Sequence, residues 1–277
     1  MSIIAIDLDG TLLSDKKEIS NEDKKTMERI CENHSIIIVS GRSHIDVKNI
    51  VFNNNIKNFI LPFIICRNGQ EIYNINNSSI IHEDYLQFET LKSIIKTLEE
   101  NEIYWYCISN SIAYCKNIKF NCLNYQLNGK YTLEQIKDIE DLTQVRVEKF
   151  VINEPITKKM LGIRRIIENL YDVEFMKYDL HKKYNDLQFM QNIVMKKNIN
   201  KYTSLKKLKV LLNLSDTIIS FGDGFNDYEL IKNSTYGICM ENGNEKIKEI
   251  SKFITKSNNN SGFSFAINYM LESKILN

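Results

Sequence analysis

The sequence predicts an α/β protein, a doubly wound parallel sheet with a second, α+β domain inserted into it. Three observations point there. Short β-branched apolar runs (IIAI at Ile3–Ile6, IIIV at 36–39, TIISF at 217–221) each end in a polar Gly-containing turn. Such uninterrupted runs mark strands buried on both faces, as in parallel sheets. Helix-like segments separate several of them, and a middle stretch replaces that alternation with closely clustered strands.

In chain order, the strand Ile3–Ile6 leads into an Asp/Gly turn and then a helix from about Ser20–Asn21, with Glu22 and Asp23 in its first turn, where acids complement the dipole. The strand at 36–39 ends at Ser40-Gly41-Arg42, and a third apolar run, FIIC at 63–66, ends at Asn68-Gly69. Polar loops after the carboxyl ends of parallel strands are where open α/β sheets bind ligands. Segments 71–75 and 79–82 read as a hairpin around Asn76-Asn77, followed by a helix over 88–100. Strands at 103–108, 112–115, 145–152 and 173–178, with a helix over 157–170, complete a domain placed at 84–184. The core then resumes: strand 187–190 (LQFM), helix 202–212, strand 217–221, helix 228–231, strand 236–239, helix 245–250, strand 253–255 and a last helix from Gly262. The core is therefore expected to be discontinuous, 1–83 with 185–277.

Composition narrows the function. Hydrophobic residues at 43% and charged residues at 26% match a soluble globular chain, and no apolar run approaches the ~20 residues that span a bilayer. A net charge of +1 supplies no field to draw nucleic acid or a membrane surface, so neither is an expected partner. The start lacks the pattern of a signal peptide, and the expected location is cytoplasmic. Cys31, Cys66, Cys107, Cys115, Cys122 and Cys239 have no zinc spacing and read as reduced thiols. His34, His44, His82 and His181 form no catalytic pattern.

Chemistry concentrates at the strand ends. Asp7 and Asp9 follow the first strand two positions apart, with Gly10 and Thr11 behind them. Read alone, DG is also a common turn with a solvent-facing acid. Two nearby carboxylates repel unless a cation sits between them, and Mg²⁺ prefers such oxygen ligands together with phosphate oxygens. GDGFND supplies a second acid pair, Asp223 and Asp227, with Asn226 between them, again after an apolar strand. Ser40, Gly41 and Arg42 offer a hydroxyl, a close backbone approach and a positive charge, which suit a phosphate, although SGR is also an ordinary loop. Lys201, at the start of a helix, offers a further point charge within a Lys-rich stretch.

These motifs resemble the haloacid dehalogenase (HAD) superfamily and, within it, the Cof-type (subfamily IIB) phosphatases: DLDGT, SGR, Lys201 and GDGFND in order, with CRNG (66–69), YGICMENGNEKIK (236–248) and SNNNSG (257–262) beside them. Relatives usually have Gly after the motif Lys, where this chain has Tyr202. The resemblance implies a Rossmann-like core with an inserted cap domain. Asp7 would attack phosphorus to form an aspartyl-phosphate, and Asp9 would be the general acid and base. Mg²⁺ would be held by Asp7, the Asp9 carbonyl, Asp223 and Asp227. Ser40 and Lys201 would bind the phosphoryl oxygens, with Gly41, Arg42, Asn68 and Asn226 orienting them. A dehalogenase needs no acid at Asp9, so a phosphatase is expected, acting on a small phosphorylated metabolite. The first choice is a sugar phosphate, then a cofactor such as pyridoxal phosphate or flavin mononucleotide. A phosphomutase or phosphotransferase, and a non-catalytic phospholigand-binding protein, are the alternatives; the chain could be monomer or dimer. Tyr104, Trp105, Tyr106, Arg146 and Lys149 are candidates for the cap's pocket.

Overall fold

The computed structural model describes residues 1–116, 131–155, 157–178, 183–184, 187–215 and 217–276. Cys122 and His181 lie outside them. The chain forms two compact units, Met1–Asp84 with Ile199–Asn277, and Tyr85–Asn198.

The first unit holds β1 (Ile3–Ile6), α1 (Asn21–Ile30), β2 (Ser35–Ile38), α2 (His44–Asn53), β3 (Phe63–Cys66), β4 (Glu71–Asn74) and β5 (Ser79–Glu83). The second holds α3 (Phe88–Glu100), β6 (Trp105–Ser109), β7 (Ile112–Cys115), β8 (Thr132–Gln135), β9 (Lys149–Pro155), α4 (Lys158–Leu170), β10 (Val173–Tyr178), β11 (Lys183–Tyr184) and β12 (Leu187–Lys196). The chain then returns to the first unit with α5 (Lys201–Leu212), β13 (Ile218–Gly222), α6 (Tyr228–Asn233), β14 (Tyr236–Cys239), α7 (Glu245–Ile250), β15 (Phe253–Ile254) and α8 (Gly262–Glu272).

The core sheet runs β15-β14-β13-β1-β2, all parallel. Alternate β1 residues face opposite cores. Ile4 and Ile6 pack with Met27, Val47 and Phe263 from α1, α2 and α8, whereas Ile3 and Ala5 pack with Leu205, Leu208 and Leu230 from α5 and α6. Helices on both faces explain why β1 is apolar at every position and fully buried. The register aligns Ile6 with Phe221 on one side and Ile38 on the other. Asp7, Ser40 and Asp223 therefore emerge at one edge. A bridge from Val39 to Ile65 adds β3 beside β2, and β3-β4-β5 form an antiparallel meander.

The second unit is a largely antiparallel sheet in the order β10-β12-β9-β6-β7-β8. Leu91, Ile94 and Leu98 of α3 and Met160, Ile163 and Ile167 of α4 share its core with Trp105 and Phe150.

Three readings of the sequence need correction, and one helix has no counterpart among them. The LQFM strand, expected in the core, belongs to β12, whose backbone pairs antiparallel with β9 and β10, so the second unit extends through Asn198. A strand's apolar pattern does not say which sheet it joins; non-local pairing does. The strand expected over 145–152 begins at Lys149, and the one expected from Ile103 begins at Trp105. Finally, α2 follows the SGR loop, capped by Ser43, whose Oγ accepts from the Asp46 N–H. That Ser-x-x-Asp start was a legible cap signal.

Candidate active site

Asp7, buried at the end of β1, is fixed by its own backbone: its N–H donates to the Phe221 carbonyl at 3.1 Å, and its carbonyl accepts from Leu12 N–H at 3.3 Å. Asp223 follows β13, and its Oδ1 accepts from Thr11 Oγ1 at 3.1 Å. Gly10, at φ 74°, passes so close that a Cβ there would lie 2.3 Å from Asp223 Oδ2. Glycine at this position lets the two acid turns interlock. Asp227 is fully buried and folds back on its own turn, Oδ2 accepting from the Asp223 and Gly224 N–H groups at 3.1 Å each.

Lys201 joins these turns. It is the first residue of α5, capped by Asn200, whose Oδ1 accepts from Thr203 N–H at 3.0 Å. Its Nζ has no solvent exposure and donates to Asp7 Oδ1 and Asp227 Oδ1 at 2.6 Å each. Tyr202 packs half-buried against the core and leaves the helix start in place.

The acids Asp7, Asp223 and Asp227 bring ligand oxygens within 4.8 Å of one another. Among the described residues, Lys201 is the ammonium bonded to two of these three carboxylates. Burial pushes the Asp7 carboxyl well above the usual range; Lys201 opposes this, and Asp227 and Asp223 reinforce it. Burial, then Asp227, raises Asp223 to about 7 against the pull of Lys201 and Thr11. At Lys201 burial works against the charge, but Asp227 and Asp7 prevail and raise its pKa. A hard divalent cation fits this all-oxygen, charge-deficient donor set.

Asp9 stands apart, its side chain 41% exposed. Arg42 grips it with two bonds, Nε to Oδ2 at 2.5 Å and Nη2 to Oδ1 at 2.7 Å, and Lys17 Nζ donates to Oδ1 at 2.7 Å. Partial burial at Asp9 opposes ionisation, but these bonds outweigh it and bring the carboxyl down to about 2. Lys17 sits at φ 64° in a turn closed by Ser14 N–H to the Glu18 carbonyl at 2.9 Å. Asp15 ties that turn to Asn258 Nδ2 at 3.1 Å and Asn259 Nδ2 at 2.9 Å, so the SNNNSG segment supports it. Sequence reading missed Lys17, because a lysine in a KKE run carries no spacing signal.

Of the other expected residues, Ser40 is buried and its Oγ accepts from Arg42 N–H at 3.2 Å. Gly41 is exposed beside it. Arg42, expected to orient a phosphate, is engaged by Asp9. Asn226 Nδ2 donates to Asn68 Oδ1 at 3.0 Å. In the second unit, Trp105 and Tyr106 are core residues; Tyr104 is partly exposed and Arg146 lies over Tyr85 at 5.4 Å.

The family model for haloacid dehalogenase-like hydrolases matches residues 4–267. The chain belongs to that family. Among curated relatives, the 5-amino-6-(5-phospho-D-ribitylamino)uracil phosphatase YwtE of Bacillus subtilis is 25% identical over 99% of both chains. Phosphatase YwpJ of the same organism is 23% identical over 98% of this chain and 100% of its own. The solved HAD subclass IIB sugar phosphatase BT4131 shares the fold at a TM-score of 0.74 and 17% identity, covering 100% of both chains. Among the described residues no helix is long and apolar enough to cross a membrane.

Proposed function

We propose that this hydrolase releases phosphate from a phosphomonoester of a small metabolite through an aspartyl-phosphate on Asp7, with Mg²⁺ as cofactor. The chain is a phosphatase; the favoured substrate class is a sugar phosphate, then a phosphorylated cofactor such as pyridoxal phosphate or flavin mononucleotide. One observation carries the reading: Asp7 is gathered with Asp223, Asp227 and Lys201 into one buried cluster, while Asp9, two residues on, lies outside it.

In this reading Asp7 attacks phosphorus and the bond to the leaving oxygen breaks as Asp9 protonates that oxygen. Water then attacks phosphorus, Asp9 takes its proton, and the bond to Asp7 breaks. Asp9 donates only in its protonated form, which Arg42 and Lys17 disfavour, so a phosphoryl dianion that competes for Arg42 would ready Asp9 to act. Mg²⁺, held by Asp7, the Asp9 carbonyl, Asp223 and Asp227, would offset negative charge on the phosphoryl oxygens. Lys201 and Ser40 share that task, with Gly41, Arg42 and Asn226 around the same group. The second unit is read as the cap that selects the leaving group, and the location as cytoplasmic.

A screen of phosphate release across sugar phosphates and phosphorylated cofactors, with Mg²⁺ or EDTA, tests this. Metal-dependent release from at least one class is expected. Isomerised hexose phosphate in place of free phosphate would show transfer between hydroxyls, and absence of any turnover would defeat the reading.

A further inference from the structure

Between β3 and β4 the three residues Arg67, Asn68 and Gly69 all have positive φ, at 50°, 58° and 100°. Glycine adopts this region freely, but other L-residues persist there only where their surroundings over-determine it. The surroundings are the loops and helix that carry the candidate phosphate-binding groups. Arg67 N–H donates to the Arg42 carbonyl at 2.9 Å, and Asn68 N–H donates to the Ser40 carbonyl at 3.1 Å. Asn226 donates to the Asn68 side chain, and Ser204 Oγ donates to the Gly69 carbonyl at 2.5 Å from the first turn of α5. A Cβ on Gly69 would lie 2.3 Å from the carbonyl oxygen of Asn200, the cap of the helix that Lys201 begins.

Beneath this turn lies Glu71, with no exposure at all. Arg67 Nε is 3.5 Å from its Oε1 and His44 Nδ1 is 2.9 Å from its Oε2, while the His44 ring stacks on Tyr73 at 4.6 Å. An apolar side chain would serve a buried strand position at less desolvation cost, so a carboxylate here calls for a reason beyond the stability of β4. We propose that Glu71 is a positioning residue: paired with Arg67 and His44, it holds the 67–69 turn in its left-handed conformation. The turn in turn fixes Ser40, Lys201 and Asn226 relative to one another. The consequence for phosphate rests on the phosphatase reading; the consequence for the turn does not.

The experiment uses the full chain and Glu71→Gln, which keeps size and removes charge. Hydrogen exchange across 66–70, calorimetric titration with inorganic phosphate in the presence of Mg²⁺, and kcat and KM are measured well below the melting temperature. Exchange at 66–70 is expected to rise while that of α1 stays unchanged. Phosphate binding and kcat/KM should each fall about tenfold, the scale of one charge-assisted contact. Unchanged exchange at 66–70 overturns the proposal whatever the activity. Raised exchange with phosphate binding and kcat/KM within twofold of the parent overturns its second half. A parent protein that neither binds nor releases phosphate counts against the phosphatase reading instead, while raised exchange still supports the turn's dependence on Glu71. If Glu71→Gln does not fold, His44→Asn removes one partner at the edge and carries the same expectations at smaller amplitude.

Discussion

Two carboxylates of one pentapeptide meet opposite fates. Asp7 is buried among two other acids with one shared lysine, and its pKa rises; Asp9 is half-exposed between an arginine and a lysine, and its pKa drops to about 2. The strand direction and the Gly10 turn separate them. What differs is the ratio of cations to acids: one ammonium for three carboxylates in the first cluster, two cations for one carboxylate in the second. On the proposed function, the first cluster would accept a cation, and the second would exchange its carboxylate for another anion. That is the division of labour expected between a metal-holding nucleophile and a general acid that must be released before it acts.

The strongest way to break this contrast is to remove the shared lysine. Lys201→Met leaves Asp7 and Asp227 buried without their counter-charge, and loss of one member of a buried pair costs about 3–5 kcal/mol. Urea unfolding at neutral pH should show it, and turnover should fall by roughly 10²–10³, as for loss of a charge-stabilising donor. Asp9→Asn should reduce turnover of alkyl phosphates by about 10²–10⁴. An aryl ester such as p-nitrophenyl phosphate, whose leaving group needs no proton, should lose much less.

A smaller effect sharpens the electrostatics. The Asp223 carboxyl titrates at about 7 in the folded protein against 3.8 ordinarily, so between those values the folded state binds more protons than the unfolded one. Stability of the metal-free protein should therefore fall as pH rises from about 4 to 7. Melting curves in EDTA should show that slope, and saturating Mg²⁺ should flatten it. The smallest change is expected at Lys17, 59% exposed: Lys17→Ala should move unfolding free energy by less than about 1 kcal/mol.

The first cluster was more legible in the sequence than the second. Asp7, Asp223 and Asp227 follow apolar strands in Gly-containing turns, and local pattern suffices to find such sites. The Arg42 grip on Asp9 joins two loops on neighbouring strands, and only the β1–β2 register brings them together. Lys17 depends on a turn whose supports, Asn258 and Asn259, lie at the far end of the chain. The same limit explains β12: LQFM reads as a strand in either unit, and its partners β9 and β10 decide which. Glu71 was unremarkable as a letter within a hairpin, and its complete burial is visible only in three dimensions.

Asp7 is proposed to carry the phosphoryl group. Rapid acid quench of the protein with Mg²⁺ and its best phosphomonoester, followed by peptide mass spectrometry, tests it most directly. A phosphate is expected on the peptide containing Asp7, lost in Asp7→Asn together with about 10⁴-fold or more of turnover. Full turnover by Asp7→Asn, or phosphate found on another residue, would contradict it.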